Sequence, residues 1–404
     1  MSETAILEGI RVLDVGSFIF GPAAGTVMGD FGADVIKVEP PDIGDPYRYL
    51  TTIPPLPSCD VNYCWILDGR NKKSLALDLK DAEAHELLLE LVRQADVFLT
   101  NYPPRVLESL SLRYEDLQPL NERLVFAHAT GYGENGPELG KPGYDFTAWW
   151  GRSGLADVVR APGSNPASSS PGMGDHPSAM SLFGAIMLAL YRRERSGRGS
   201  KVGSSLLANG VWSNSILLQS QLCGAGPFEP PPLEKPTNAL INMYRTRDDR
   251  WLQLVLVQED KLWPRFCKAL DEPELIDDPR FSELKSRRAH ALDLAEILRP
   301  LFASRDLVEW RKRLDAVGVT SAHVATLEEL AEDPQAEASG LFPAIEDGNG
   351  RAMRTVTNPI EVEGLAKRPP GPAPDIGEHT DEVLRSIGVD DARLAALRER
   401  GAIR

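Results

Sequence analysis

The sequence predicts an α/β protein whose larger part is a doubly wound, Rossmann-like domain. Short apolar strands alternate with helices of one apolar face, and glycine-containing turns join them. The predicted strands cover residues 10–16, 34–39, 74–79, 95–100 and 124–129. Alternation of this kind builds a parallel sheet with helices on both faces. A proline-rich break at residues 228–232 then separates a smaller α/β domain.

Length and composition support two domains with a sizeable core. The chain has 404 residues, of which 42% are hydrophobic and 25% charged. This length suggests two domains, or one large domain with an insert, and the composition is ordinary for a globular protein. We predict a large domain over residues 1–225, a small domain over 226–332, and a return to the large domain over 333–404.

The net charge of −15 argues against nucleic acid and anionic membranes as partners. The four cysteines, Cys59, Cys64, Cys223 and Cys267, are scattered, so neither a disulfide framework nor a metal site is expected. The amino terminus lacks the pattern of a signal peptide, and the apolar run 180–191 is too short to cross a bilayer. A cytoplasmic location is therefore expected.

The first strand–helix–strand unit has the look of a phosphate-binding unit without its fingerprint. Gly16, Gly21 and Gly25 do not have the spacing G-x-G-x-x-G, although Glu39 imitates the acid that binds ribose in dinucleotide folds. A nicotinamide site is therefore disfavoured. A helix amino terminus at the carboxyl end of a strand is still the usual place for a ligand in such a sheet.

Two further segments are candidates for ligand contact. The basic run Arg70-Asn71-Lys72-Lys73 is either a phosphate site or a solvated turn, and composition alone does not separate the two. Residues 130–150 form a loop rich in glycine and aromatic residues after a strand, where aromatic side chains often line pockets.

Asp175 stands between glycines and the apolar helix that begins after Pro177. It is either an N-cap, whose oxygens accept hydrogen bonds from the first turn, or a nucleophile in a water-poor site among backbone donors. Pro177 fits the first position of a helix. His176, inside the helix start, is expected to be structural, as are the isolated His85, His290, His323 and His379.

At this point the chain resembles the family III CoA-transferases, the family of formyl-CoA transferase and carnitine CoA-transferase. The likeness lies in five places and extends over essentially the whole chain: residues 13–22, 32–39, 71–74, 131–137, and 174–175 together with 196–199. It implies that Asp175 attacks an acyl-CoA and carries first an anhydride and then a thioester to coenzyme A. It also implies an interlocked homodimer and coenzyme A as co-substrate, without a metal.

The resemblance assigns the other site residues as follows. Coenzyme A contacts would map onto Lys37, Asn71, Lys72, Lys73, Asn101 and Tyr102. The substrate pocket would include Phe18, Ile19, Tyr63, Tyr144 and Asp145. Gly172 and Gly174 would let backbone N–H groups approach an oxyanion beside Asp175.

Two departures from the family narrow the activity. Ile19 stands where the formyl-CoA enzyme has a glutamine, and residues 237–244 do not match its glycine-rich flap, which argues against oxalate as acceptor. Tyr144 stands where racemases of this fold have a histidine, which argues against two-base proton exchange at an α-carbon. The expected function is transfer of coenzyme A from a donor of the succinyl-CoA or acetyl-CoA type to a short organic acid. An acyl-CoA racemase is the alternative. The local sequence around Tyr144 and Asp175 is more similar to that of transferases acting on 2-hydroxy acids or short dicarboxylates.

Overall fold

The computed structural model describes residues 5–348 and 350–404 in two compact units. The first contains the described residues up to Asp157, together with 167–226 and 335–404, and the second contains 158–166 and 227–334. The first four residues, part of the amino-terminal stretch predicted to lack a signal peptide, lie outside the described residues.

The first unit is built on a six-stranded parallel sheet, as the alternation of strands and helices predicts. Its order is β3-β2-β1-β4-β5-β6. The strands are β1 (Arg11–Asp14), β2 (Asp34–Glu39), β3 (Lys72–Ala76), β4 (Val97–Thr100), β5 (Val125–Thr130) and β6 (Ser200–Ser205). β1 pairs with both β2 and β4, so the order reverses beside it. This switch point opens a crevice at the carboxyl ends of β1 and β4.

Helices cover both faces of this sheet, which explains why its strands are apolar on both sides. One face packs against the first helix and the long helix that begins at Asp175, around Val12, Val97 and Leu182. The other packs around Leu13, Phe98 and Leu88. The helices of the first unit, as far as β6, are α1 (Phe20–Asp30), α2 (Tyr63–Gly69), α3 (Ala82–Gln94), α4 (Pro104–Ser109), α5 (Tyr114–Leu117), α6 (Leu155–Val158, which ends at the border of the second unit) and α7 (Asp175–Ser196).

Two segments expected to be loops contain helical turns. Residues 40–60 include a 3-10 helix, Pro46–Thr52, started by Asp45, whose side chain accepts a hydrogen bond from Tyr47 N. The aromatic stretch Asp145–Gly151 forms a π-helix. Both lie next to the carboxyl edge of the sheet through contacts described below.

The mostly apolar run over residues 206–222 predicts one long helix, but the structure has two, α8 (Leu206–Ser213) and α9 (Ser215–Leu222). Asn214 lies at the junction, with φ −101° and ψ 18°, outside the α-helical region. The apolar pattern continues across such a break, so the sequence does not reveal where the first helix ends.

The second unit has its own antiparallel sheet, β7 (Ile241–Arg245), β8 (Trp251–Val255) and β9 (Ser321–His323), in that order. Its core includes Trp263, Phe266, Phe302 and Trp310. The helices are α10 (Glu259–Leu270), the 3-10 helix Pro273–Ile276, α11 (Leu284–Ala289), α12 (Ala291–Phe302), α13 (Leu307–Ala316) and α14 (Leu327–Ala331). The sequence predicts a single helix over residues 286–302, whereas the structure divides this segment at His290.

The carboxyl-terminal segment returns to the first unit. It contains α15 (Pro334–Ala338), the hairpin β10 (Ala344–Glu346) with β11 (Ala352–Arg354), α16 (Thr380–Arg385) and α17 (Asp391–Glu399). The sequence predicts a hairpin between residues 351–356 and 358–360. This prediction is wrong, because β11 pairs with the preceding strand β10. His379 N donates to Ser74 O over 3.0 Å, and Ala76 N donates to Thr380 Oγ1 over 3.1 Å, which fastens this segment to β3.

Candidate active site

A cavity of about 260 Å³ lies at the carboxyl edge of the parallel sheet in the first unit. It is formed by the turn between β1 and α1, the turn after β4 and the glycine loop after β5, and Asp175 completes its wall. The lining residues include Ser17, Phe18, Ile19, Asn101, Tyr102, His128, Tyr132, Glu134, Lys141, Tyr144, Asp175 and Leu206. The structure therefore brings together segments far apart in sequence at the place where the strand order reverses.

Asp175 is the first residue of α7, and Gly174 is its N-cap without a side-chain cap hydrogen bond. The N-cap interpretation of Asp175 is therefore wrong. Pro177 is the third helical residue and not the first. Freed from capping, the half-buried Asp175 side chain reaches the cavity at a helix amino terminus, where the helix dipole favours a negative charge.

The two glycines before Asp175 allow the backbone to turn and to pass close to neighbouring side chains. Gly172 has φ +79°, a conformation that disfavours other residues. A Cβ on Gly174 would lie 2.6 Å from the ring of Trp149. Gly174 N donates to Asp145 Oδ2 over 3.4 Å, and Phe146 N donates to Asp145 Oδ1 over 2.8 Å. The Gly174 N–H, which was predicted to face an oxyanion, thus contacts the Asp145 carboxyl.

The Asp175 carboxyl has an unusual affinity for protons. Burial, followed by the neighbouring negative charges of Asp145 and Asp68, raises its pKa to about 7, against the opposing effect of His176. Asp145 is itself buried, and burial raises its pKa as well. The Asp145 carboxyl therefore disfavours the ionisation of Asp175 across the Gly172–Asp175 turn.

His176 does not line this cavity and pairs with Asp68. Its Nε2 lies 3.2 Å from Asp68 Oδ2 and 3.3 Å from Oδ1, and its Nδ1 lies 3.1 Å from Gly172 O. Tyr47 OH donates to Asp68 Oδ2 over 2.6 Å. Burial alone would lower the pKa of His176, but the Asp68 carboxylate raises it to about 9. The structural interpretation of His176 therefore rests on an ion pair with the buried Asp68.

Three of the five predicted pocket residues line the cavity: Phe18, Ile19 and Tyr144. The rings of Phe18 and Tyr144 meet edge to face with centroids 6.0 Å apart. Asp145 lies beneath the glycine turn. Tyr63 lies elsewhere, because its hydroxyl donates to Pro57 O over 2.8 Å and it is not among the described residues that line the cavity.

Of the residues predicted to contact coenzyme A, Asn101 and Tyr102 line the cavity. Asn101 is held by Ser17, whose N–H donates to Asn101 Oδ1 over 2.9 Å and whose carbonyl accepts from Asn101 Nδ2 over 2.7 Å. This exchange of two hydrogen bonds joins the turn after β1 to the turn after β4, and thereby sets the width of the cavity.

Lys37 and Lys72 are buried within the protein. Lys37 Nζ lies 2.7 Å from Asp45 Oδ2 and 3.7 Å from Asp14 Oδ1, and it donates to Gly16 O. Lys72 Nζ donates to Asp14 Oδ2 over 2.9 Å and to Pro22 O over 2.7 Å. Each lysine side chain is 1% exposed. Both ammonium groups therefore stabilise the turn after β1 from below and do not border the cavity.

Asn71 and Lys73 also have partners inside the chain. Asn71 Nδ2 donates to Asp30 Oδ1 over 3.0 Å, and its Oδ1 accepts from Gly371 N over 2.8 Å. Lys73 Nζ lies 3.1 Å from Asp34 Oδ1 and 3.0 Å from Glu382 Oε1. The side chains of the basic run thus form buried and surface ion pairs within the chain. This arrangement is neither the phosphate site nor the solvated turn that composition suggested.

Sequence reasoning missed a polar cluster on the cavity wall. His128, buried at the end of β5, has Nδ1 2.7 Å from Glu134 Oε1 and Nε2 3.0 Å from Tyr102 O. Lys201 Nζ lies 2.9 Å from Glu134 Oε1. The hydrogen bond with His128, then the nearby Lys201, lowers the pKa of Glu134 to about 2. A histidine within an otherwise apolar strand was the available signal.

Asp68 was missed for a different reason. It lies on the short helix α2, whose seven residues show no distinctive motif, and only the fold brings it to His176. Among the described residues, no group of three or more His, Cys, Asp or Glu side chains is arranged to hold a metal ion. Within the same residues, no helix is both long and apolar enough to cross a membrane.

Comparison with known proteins identifies relatives along the full length of the chain. Residues 7–380 match the family described as CoA-transferase family III. The (R)-2-hydroxy-4-methylpentanoate CoA-transferase of Clostridioides difficile is 31% identical, with 99% of this chain and 100% of that protein covered. The cinnamoyl-CoA:phenyllactate CoA-transferase of Clostridium sporogenes is also 31% identical, with 98% and 97% covered.

A solved structure shows the same fold. A CaiB/BaiF family protein from Brucella suis superposes with a TM-score of 0.81 at 25% sequence identity, covering 95% of this chain and 100% of that chain.

Proposed function

Because the chain belongs to family III of the CoA-transferases, an enzyme family that moves coenzyme A between an acyl-CoA and a carboxylate, we propose that Asp175 is its nucleophile. The carrying observation is that the Asp175 carboxyl lies on the wall of the cavity, at a helix amino terminus and free of any capping role. A partly buried carboxylate with an open face is suited to covalent catalysis.

The proposed reaction has four steps. An Asp175 oxygen attacks the donor thioester carbonyl, the carbon–sulfur bond breaks, and coenzyme A leaves as thiolate from a mixed anhydride. The thiolate then attacks the aspartyl carbonyl and releases the donor acid. The acceptor carboxylate attacks the resulting enzyme thioester and expels the thiolate again. The thiolate finally attacks the acceptor carbonyl of the second anhydride and regenerates the Asp175 carboxylate, so that no net proton is consumed.

The surrounding residues support this sequence of steps. We assign Asn101 and Tyr102 to contact with coenzyme A, because both line the cavity. Lys37 and Lys72 are assigned an indirect part, through the turn that carries Phe18. Asp145 holds the Gly174 N–H and so orients the backbone beside the nucleophile. Anhydrides hydrolyse in water, so the aromatic walls at Phe18 and Tyr144 favour transfer over hydrolysis.

We further propose an acceptor that is a 2-hydroxy acid with an apolar tail, with a donor of the succinyl-CoA or acetyl-CoA type as the general expectation. The described lining of the cavity that contains Asp175 includes the aromatic and aliphatic side chains of Phe18, Ile19, Tyr144 and Leu206. Its lysine, Lys141, is paired with Glu138 over 2.7 Å. A dicarboxylate would need a cation for its second charge. The names of two relatives also refer to 2-hydroxy acids with apolar tails.

A trapping experiment tests the nucleophile. The protein is incubated with an acyl-CoA and then with hydroxylamine, and its peptides are mapped by mass. We expect a hydroxamate on the peptide that contains Asp175, and none in Asp175→Ala, which should bind coenzyme A normally but not transfer it. A hydroxamate on another carboxyl, or transfer by Asp175→Ala, would contradict the assignment.

A deuterium-uptake measurement on the same protein tests the racemase alternative. Deuterium uptake at the α-carbon of a 2-methylacyl-CoA, without exchange of acyl groups between acids, is the result expected of a racemase. We expect the reverse, because Tyr144 offers a phenol where an imidazole base would be needed. A panel of 2-hydroxy acids and dicarboxylates then ranks the acceptors by kcat/KM.

A further inference from the structure

Three hydrogen-bonded side chains lead from the interior to the turn that carries Asp175. Tyr47 OH donates to Asp68 Oδ2 over 2.6 Å, and Asp68 Oδ2 lies 3.2 Å from His176 Nε2. His176 Nδ1, at 3.1 Å, reaches Gly172 O. The residues come from the 3-10 helix Pro46–Thr52, from α2 and from α7. We call these three side chains the Tyr47 relay.

The central carboxylate of the relay requires a cation. Asp68 is 4% exposed, and an ionised carboxylate at such a depth is stable only with a charged or strongly hydrogen-bonded partner. His176 supplies that partner, and with its pKa raised to about 9 by Asp68 it is an imidazolium at neutral pH. Both ring nitrogens then act as donors, one to Asp68 and one to the Gly172 carbonyl.

The relay does not face the substrate. His176 and Asp68 line a second cavity of about 590 Å³ in the first unit, together with Pro177 and Met180, whereas Asp175 lines the cavity described above. Any effect of His176 on the reaction must therefore pass through its neighbour Asp175 or through the Gly172 turn.

The charged groups that act on Asp175 come from each element packed against it. Asp145, from the π-helix, and Asp68, from α2, both oppose its ionisation. His176, on the helix of Asp175 itself, favours ionisation. The hydroxyl of Tyr47, in contact with Asp68, stays protonated because burial and then Asp68 raise its pKa well above 10. Among these groups His176 is the one positive charge.

We propose that the Tyr47 relay fixes the Gly172–Asp175 turn and keeps a permanent positive charge beside the nucleophile, so that Asp175 attacks as a carboxylate at neutral pH. His176 is then a positioning residue. The proposal rests on Asp175 being the nucleophile. It goes further by assigning a kinetic role to two side chains that do not touch the substrate.

The pH profile of kcat/KM separates this role from a merely structural one. The active form of Asp175 is ionised, so activity rises with pH through its pKa. Loss of the neighbouring cation in His176→Gln raises that pKa, and the acid limb should move up by about one pH unit. Activity should fall about tenfold on the acid limb and recover toward the wild-type value on the alkaline side. His176→Lys keeps the positive charge, so the acid limb of its pH profile should lie at the same pH as that of the wild type.

His85→Gln is the matched control. His85 is likewise half-buried, with Nε2 2.6 Å from a backbone carbonyl, that of Leu110, but it lies on α3, on the other face of the sheet. Its profile should equal that of the wild type. A His176→Gln profile that keeps the wild-type limb, whether or not kcat is lower, would overturn the proposal, as would a loss of activity that alkaline pH does not restore.

A measurement on the unmodified protein covers the case in which His176→Gln does not fold. The ¹⁵N shifts of the His176 ring, assigned by the signal missing from His176→Lys, should report a doubly protonated ring at pH 8. A neutral ring at pH 7 would refute the proposal. Hydroxylamine trapping at Asp175 is run in parallel. If no hydroxamate forms at Asp175, the nucleophile assignment itself is contradicted. If it forms but the acid limb of His176→Gln does not move, only the proposal about the Tyr47 relay is contradicted.

Discussion

The Asp175 carboxyl holds its proton more tightly in the folded chain than an exposed aspartate does. Its pKa is about 7, against an ordinary value near 3.8, because of burial and then the charge of Asp145. The folded protein therefore loses stability as pH rises from the unfolded pKa through the folded one. Above pH 7 the full cost is present, and below about pH 4 it is absent.

Replacement of Asp175 by asparagine removes this cost. At pH 8 we expect Asp175→Asn to unfold at a higher urea concentration than wild type. Its free energy of unfolding should be larger by about 1–2 kcal/mol, although the variant has no transferase activity. The difference should shrink as the pH approaches 4. Equal stability of the two proteins at pH 8 would show that the folded environment does not penalise the charge.

Two glycines of α7 and its cap offer a matched test of close packing. A Cβ on Gly174 would lie 2.6 Å from the Trp149 ring, whereas a Cβ on Gly184 would meet nothing within 4 Å. Gly174→Ala should therefore displace Trp149 or the turn, and lower kcat/KM by about tenfold or more. Gly184→Ala should stabilise α7 by about 0.5–1 kcal/mol without effect on activity. Thermal unfolding and steady-state kinetics check both.

At the scale of elements, a buried ion network joins the carboxyl ends of β1, β2 and the start of β3. Asp14 and Lys37 are registered partners on adjacent strands, and Lys72 Nζ lies 2.9 Å from Asp14 Oδ2. Removal of one buried charge leaves the others uncompensated. Lys37→Met should lower the free energy of unfolding by about 3 kcal/mol. Lys73→Met, at a lysine that is 36% exposed, should change it by less than about 1 kcal/mol.

The same pair of variants tests the role of Lys37 toward coenzyme A. If Lys37 acts only from within the protein, folded Lys37→Met binds coenzyme A with an unchanged dependence on salt. A weaker salt dependence with little loss of stability would instead indicate direct contact with phosphate. Isothermal titration at two ionic strengths distinguishes the two results.

Elements with a strong pattern were predictable, and contacts between elements were not. The alternation of strands and helices predicts the parallel sheet, because strands apolar on both faces need helices on both sides. The burial of Lys37 depends on the register that places Asp14 beside it. Sequence does not reveal register, so Lys37 was assigned to the ligand. The Asp68–His176 pair, 108 residues apart, is hidden for the same reason.

Short elements with few residues to set a period were also predicted poorly. β10 and β11 have three residues each, and the predicted pairing of residues 351–356 with 358–360 chose the wrong partner. The glycine turn before α7 was predicted to belong to the site, and the structure places Asp175 in the cavity lining, but the N-cap of the helix is Gly174 and not Asp175. Boundaries of helices depend on one or two dihedral angles, which composition does not determine.

For the whole molecule, we propose a homodimer, which the family resemblance implies. Large apolar side chains of α8 and α9 support it, since Trp212 is 79%, Ile216 84% and Leu222 74% exposed in the single chain. Large apolar side chains exposed to this degree favour association. We expect sedimentation of a two-chain species at micromolar concentration. Trp212→Arg with Ile216→Glu should shift it toward one chain, whereas a wild-type monomer would contradict the proposal.

Phe18 adopts φ +62°, a left-handed conformation that is costly for an aromatic residue. Its N–H donates to Asp45 Oδ1 over 3.0 Å, and Asp45 also pairs with Lys37, so buried charges below the turn hold the ring in the cavity wall. A glycine at this position would relax the backbone but remove the ring from Tyr144. Selection for a more thermostable chain would thus favour loss of this aromatic wall, and the cavity would become wider as heat tolerance improved.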